Sequence, residues 1–345
     1  MTDYKNLKLI ATSSPHIRAA ENTKSIMLDV IIAMVPALAF ACYWFGPRAL
    51  TLTCVSVIAC MFWEWLYRKA LKKPQSVGDL SAVVTGMLLA FVSPVTLEYW
   101  KIIIGAFFSI VVVKQLFGGI GKNFVNPALA GRAFMLASWA GSMTSWVDST
   151  AGGKAPIFGT SADVVTSATP LAQMKGDDIA ATFAAMSEKY SVMDMFLGKI
   201  GGSLGEVSAL LLICGGVYLI VRKVITWHTP VAYIATVAVL TLLFPRGGVD
   251  NLQWMLYNVF GGGLMLGAFF MATDYATSPV THKGQLIFGI GCGLLTVFIR
   301  YFGSYNEGVC YSIMVMNCFV ALIDSHTRPT RFGVVKSEKK EAAAK

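Results

Sequence analysis

Apolar residues in this chain come in runs of membrane length, and the polar residues gather between the runs. About 20 apolar residues cross a bilayer core as a helix. Ten such runs are read here, at 25–46, 49–68, 80–94, 98–119, 125–140, 202–224, 229–245, 254–275, 283–303 and 307–327. The connections between them are short, with one exception: a long polar loop over 141–201. The pattern predicts an all-α polytopic membrane protein of about ten transmembrane helices. Its parts are an N-terminal tail (1–24), a five-helix unit (25–140), the loop (141–201), a second five-helix unit (202–327) and a C-terminal tail (328–345).

Composition agrees with that reading. The chain is 55% hydrophobic and only 14% charged, against about 25% charged in soluble domains. The first 24 residues are polar and the first apolar run is full length, so no cleavable leader is expected. The net charge of +9 raises the question of nucleic acid, but its distribution answers it. With the N-terminus inside, 20 of the 28 Lys and Arg residues fall on the inner side. That is the bias that orients membrane proteins. Both termini are then expected inside, the loop outside, lipid around the helices and no nucleic acid as partner.

None of the seven cysteines lies in the outer loop, and the four histidines are scattered. No disulfide framework and no metal or iron–sulfur site is expected from this chain. Trp44, Trp100, Trp227 and Trp254 stand near run ends, as in an interfacial belt.

The two units carry a matching signal. Ser93-Pro94-Val95-Thr96 ends the third run, and Ser278-Pro279-Val280-Thr281 follows the eighth, the third of the second unit. Five runs per unit is an odd number, so the units face opposite ways, as in the inverted repeats of transport folds. The third run is short, with Gly86 inside it, and the eighth contains Gly261-Gly262-Gly263 and Gly267. Short or Gly-interrupted spans at matching positions point to a ligand site, while close packing of small residues is the simpler alternative.

In the loop, Ser161, Thr166, Ser167 and Thr169 stand just ahead of Pro170. Turn formation is the commoner role of such residues. No histidine base is near and an unactivated Thr is a poor nucleophile, which excludes a hydrolase. The sharper reading makes Thr169 the acceptor of a covalent group.

Three motifs then carry a resemblance: Thr166-Ser167-Ala168-Thr169-Pro170-Leu171, the segment from Gly118 through Lys122-Asn123-Phe124-Val125-Asn126-Pro127 to Arg132-Ala133-Phe134, and Met271-Ala272-Thr273-Asp274. Over about 25–327 the chain resembles the D subunits of bacterial Rnf electron-transport complexes and the related B subunits of sodium-translocating NADH:quinone oxidoreductases. The resemblance implies FMN joined by a phosphoester to Thr169, with Ser167 in its motif, installed by a flavin transferase. It also implies a riboflavin within the bilayer, carried onto Asn123 and Asn126. Amides three apart share one helical face, although an N-cap role at the start of a span is open too. Arg132 would neutralise a flavin or phosphate, or else reach the interface. The implied setting is a bacterial cytoplasmic (inner) membrane with the loop periplasmic. The implied partners are the A, B, C, E and G subunits of such a complex, above all the G subunit, which carries FMN and faces the periplasm. The implied work is electron transfer between ferredoxin and NAD coupled to Na+ or H+ movement.

Acids at membrane depth are functional suspects. Asp29, Glu64, Asp274 and Asp324 fall near the inner ends of their runs and are candidates for an ion pathway. An i,i+4 pair with Arg68 accounts for Glu64 equally well. No dinucleotide fingerprint after a strand is present, so NADH turnover by this chain alone is not expected. Two other functions compete: an inverted-repeat solute transporter or channel, and a non-redox scaffold subunit.

Overall fold

A computed structural model describes residues 21–147, 155–157, 168–175, 179–206 and 208–329. Ser161, Thr166, Ser167 and most of the two tails lie outside the described residues. Every regular element described is helical.

The first five runs become α1 (Thr23–Phe45), α2 (Pro47–Ala70), α3 (Ser81–Phe91), α4 (Tyr99–Phe107) and α5 (Pro127–Ser138). Asn22 starts α1 with a capping box, its Oδ1 accepting from Ser25 N at 2.9 Å. Pro47 stands at the head of α2, where a missing N–H costs nothing. α4 continues as a π-helix over Phe108–Gln115. The chain then reverses through Gly118, Gly119 and Gly121, whose φ values of 116°, 94° and 80° only glycine adopts freely.

The 141–201 stretch is not a plain polar loop. It forms α6 (Ile179–Lys189) and α7 (Val192–Leu197), preceded by a helical turn at Pro170–Gln173. Phe183, Met186, Tyr190 and Met195 pack with Leu171 on Trp254 and Tyr257. Apolar residues at helical spacing inside a short polar stretch are easily overlooked as loop. Trp254 is consequently buried under this cap and does not join an interfacial belt.

The second set is α8 (Ala209–Val221), α9 (His228–Leu243), α10 (Asn251–Phe260), α11 (Leu264–Leu266, extended as a π-helix to Met271), α12 (His282–Phe302) and α13 (Val309–Thr327). Helix therefore falls on each of the ten apolar runs. Four helices (α1, α2, α12 and α13) are long and apolar enough to cross a membrane, or five if α10 and α11 form one span bent by 61°. Large apolar side chains stay exposed along them, among them Leu28 and Ile32 on α1, Ile58 and Phe62 on α2, Ile290 and Phe298 on α12, and Phe319 on α13. A soluble monomer does not expose such stripes, so lipid is their natural surroundings.

The two sets are packed as one body. α1 lies on α8, α5 on α13, and α3 on α5. The body has two ends: a loop face, near residues 155–206, and a tail face, near Thr23 and Thr327.

Candidate functional site: two cavities joined by one helix

The chemistry gathers in two cavities on opposite faces, with α5 running between them. The tail-face cavity holds about 310 Å³. Val84, Leu88, Phe269 and Phe270 make its apolar walls, and Lys114, Asn123, Asn126 and Asp274 its polar edge.

Each polar residue is placed by a local cause. The segment Lys122–Asn126 is not helical, so Asn123 and Asn126 do not share a helix face as i,i+3 spacing would have them do. The glycine reversal and Pro127 keep it extended, and both amides still reach the cavity. Asn126 is the N-cap of α5, its Oδ1 accepting from Ala128 N at 3.0 Å, while its Nδ2 donates to Met271 O at 3.3 Å. One amide thus starts α5 and ties it to α11. Asn123 Nδ2 donates to Val125 O at 3.2 Å. Asp274 accepts from Thr277 Oγ1 at 3.2 Å.

Lys114 is only 3% exposed. Its Nζ donates to Glu64 Oε2 at 2.8 Å and to Ser81 Oγ at 2.6 Å. Glu64 is fully buried and also accepts from Ser76 Oγ. Arg68, the expected i,i+4 partner, is 4.0 Å away, so the principal counter-ion comes from α4's π-helical extension instead. A buried carboxylate keeps its charge only when so paired.

The loop-face cavity is smaller, about 80 Å³. Thr169, Arg132, Glu206, Glu307, Tyr305 and Tyr311 line it. Thr169 N-caps the turn that begins at Pro170, its Oγ1 accepting from Ala172 N at 3.3 Å. Lys175 anchors that turn by donating to Gly303 O and, at 2.8 Å, to Tyr305 O. Burial lowers the pKa of this lysine, with Arg246 adding to the effect. The Tyr305 and Tyr311 rings lie against each other, tilted by 33° with centroids 4.7 Å apart.

Arg132 is buried and pairs with Glu307. It faces the loop side, although the sequence count placed it with the inner cations. Six residues of α5 separate it from Asn126, a rise of about 9 Å.

The remaining acids are held elsewhere. Asp29 accepts from Tyr218 OH at 3.0 Å and pairs with Arg222 at 3.1 Å, fastening α1 to α8. Asp324 Oδ1 accepts from Val280 N at 3.2 Å. Of the four suspects, Asp274 is the one that lines either of these two cavities. Sequence reasoning missed Lys114, Glu206, Arg300 and Glu307. The rule that flagged the four acids, an ionisable group at membrane depth, would have found Glu206 and Lys114 had it been applied to both ends of every run.

The fold and these sites define a class: a multi-pass helical membrane protein with polar, charge-paired chambers on opposite faces. The chain belongs to the NQR2, RnfD, RnfE family, which it matches over residues 10–333. It is 49% identical over 340 residues to the D subunit of the Na(+)-translocating ferredoxin:NAD(+) oxidoreductase complex of Acetobacterium woodii, covering 98% of this chain and 99% of the relative. It is 42% identical to the D subunit of the proton-translocating ferredoxin:NAD(+) oxidoreductase complex of Clostridium ljungdahlii, covering 95% and 97%. It is 36% identical to the D subunit of the ion-translocating oxidoreductase complex of Actinobacillus succinogenes, covering 92% and 96%.

Proposed function

We propose that this chain is the D-type membrane component of a multi-subunit, redox-driven ion translocase of the ferredoxin:NAD type, and that it relays electrons between a flavin at the loop face and a second flavin within the bilayer of a bacterial cytoplasmic membrane. The observation that carries the reading is the position of Thr169. This threonine forms part of a cavity wall together with a buried arginine and a tilted tyrosine pair.

The residues fit the groups. Among the described residues, the Thr169 hydroxyl is engaged only by a long N-cap contact, which leaves its oxygen open to a phosphoester. The loop-face cavity is too small to enclose a three-ring flavin, so the ring of an FMN tethered there rests at the mouth, beside Tyr305 and Tyr311. The tail-face cavity, at about 310 Å³, lies at the lower end of the range for small-molecule sites, roughly 300–1,000 Å³. Its apolar walls suit the faces of an isoalloxazine, and Asn123 and Asn126 suit its polar edge, which is the place of the riboflavin. Bound flavins supply the one-electron relay that side chains lack.

The protein's own part is positional. Asn126 holds the cavity edge by tying α5 to α11. Lys114, held by Glu64, puts a fixed cation on the wall. α5 sets the spacing between the two chambers. Asp274 is the residue assigned to cation handling, because it is the one of the four acids that lines the tail-face cavity.

The layout follows the same reading: ten spans in two inverted repeats, both termini inside and loop 141–201 in the periplasm. Two features support the repeat. Short α3 begins at Ser81, beside the Lys114–Glu64 pair on the tail face. The half-helix α11 begins beside Gly263 and the Arg132–Glu307 pair on the loop face. Both Ser-Pro-Val-Thr turns are pinned by a charged partner: Arg48 Nε donates to Val95 O at 2.9 Å, and Asp324 receives Val280 N. The A, B, C, E and G subunits are the partners, with the G subunit delivering electrons at the loop face.

The test is ultraviolet in-gel fluorescence of the denatured chain co-expressed with its flavin transferase, beside Thr169→Ala. A fluorescent band that the variant loses is expected. A dark wild-type band, with the transferase active on another substrate, would leave a transporter or scaffold. In the same preparations, Asn123→Leu is expected to keep the band and lose the flavin released on denaturation.

A further inference from the structure

The break between α10 and α11 exposes two helix ends, and each meets a charge. Arg300 donates to the last carbonyls of α10, Asn258 O at 2.5 Å and Gly261 O at 3.3 Å. The Gly263 N–H, just ahead of α11, donates to Glu307 Oε1 at 2.8 Å. A cation at a helix C-terminus and an anion at an N-terminus are the favourable pairing.

Gly263 brings a second carboxyl to the same place. A Cβ there would collide with Glu307 Oε1 and stand 3.3 Å from Glu206 Oε1. Glu206 Oε1 and Glu307 Oε1 thus converge on the same point at Gly263. Glu206 is buried and Glu307 half-buried, and two carboxylates so placed are costly to ionise together, which favours a proton on one of them. The partners decide which carboxyl holds it. Glu307 has Arg132 and the Gly263 N–H. Glu206 accepts only a long bond from Ser203 N, at 3.3 Å. Glu307 therefore keeps the charge and Glu206 the proton.

A separate observation marks an unmet polar group beside Glu206. Ser203 Oγ, fully buried next to the backbone N–H that reaches Glu206, has no hydrogen-bond partner of good geometry among the described residues. A water there would satisfy it and link Glu206 to the cavity. The charged and titratable groups facing Glu206 are Glu307 and Arg132, with Arg300, Tyr305, Tyr311 and Cys310 around the same chamber. Thr169 lines that chamber too.

We propose that Glu206 is a redox-linked proton site on the loop face, an inference that rests on the flavin at Thr169. Glu206 holds its proton more tightly when negative charge arrives in the cavity. Over the pH range in which the oxidised protein has begun to lose that proton, each electron from a reduced flavoprotein neighbour is matched by one proton from loop-face water. The O–H bond forms at Glu206 as the electron arrives. When the electron leaves, that bond breaks and the proton returns to the same water. Arg132 keeps Glu307 ionised throughout, so uptake at Glu206 reaches one proton per electron where the oxidised protein has lost the proton and the reduced protein holds it.

Two measurements test it. The first is an infrared pH titration of the flavin-free chain, purified from cells lacking the transferase. A protonated-carboxyl band that titrates in the wild type and is missing in Glu206→Gln is expected. The second follows the midpoint potential of the loop flavin with pH in the assembled complex. In the pH window where Glu206 titrates, the wild-type potential is expected to fall with pH more steeply than that of Glu206→Gln, by up to tenfold in the one-electron equilibrium per pH unit, or about 59 mV, and Glu206→Asp keeps the steeper slope. Absence of the infrared band, or equal slopes in the wild type and Glu206→Gln, overturns the proposal. A chain with no flavin on Thr169 fails the functional reading first and takes the redox link with it. The infrared band still decides where the proton sits.

Discussion

Gly263 shows how much one missing side chain can organise. Its backbone N–H is close enough to bond Glu307 only because no Cβ intervenes. Gly263→Ala should push Glu307 away and leave buried polar groups unpaired, a loss of about 1–3 kcal/mol. Gly78 has open space around its Cβ position, so Gly78→Ala should melt within error of the wild type. Thermal unfolding of both in detergent checks the contrast, and equal losses would count against the Glu307 contact. The three glycines at 261–263 were visible in the sequence as an interruption. Their purpose was not, because Glu206 and Glu307 lie far away along the chain and meet only in the fold.

Among the elements, the π-helix at Phe108–Gln115 matters most. One extra residue per turn widens the helix, and this is the turn from which Lys114 enters the interior beside Glu64 and Ser81. Lys114→Met should cost about 3–5 kcal/mol, since it strands a buried carboxylate. Adding Glu64→Leu should recover much of that loss, because an apolar pair replaces the ion pair outright. Urea or thermal unfolding of the single and double variants decides this. A double variant as unstable as the single would mean that Lys114 acts independently of Glu64. Helix type is poorly legible here: the apolar run over 98–119 announces a helix and says nothing of a register change within it. The apolar positions of α6 and α7 were equally present in the sequence, but they needed α10 as a packing partner to have meaning.

For the whole molecule, the exposed apolar stripes and the asymmetry of Lys and Arg require an orientation. Single cysteines placed at Ile157 and at Lys72, in a background freed of native cysteines, should react with a membrane-impermeant maleimide from opposite sides, Ile157 from the periplasm. Labelling of both from one side would overturn the inverted layout. Asp29 with Arg222 joins the two sets across α1 and α8, and Asn126 joins them again through Met271. Both chambers lie along that seam, where each takes walls from both sets.

Hydrophobic run length alone determined that the chain is helical and built for a membrane. A run of that length has one stable way to satisfy its backbone in lipid, whatever surrounds it. The segment from Lys122 to Arg132 stood out through its resemblance to a family motif, while its residues alone left an N-cap role open. Only the tertiary structure decided that this segment spans two chambers, that Lys114 rather than Arg68 is the main partner of Glu64, and that Glu206 and Glu307 meet. Those pairings cross between elements distant in sequence. Buried charge is tolerated only beside its partner, and which residues become partners is settled by packing.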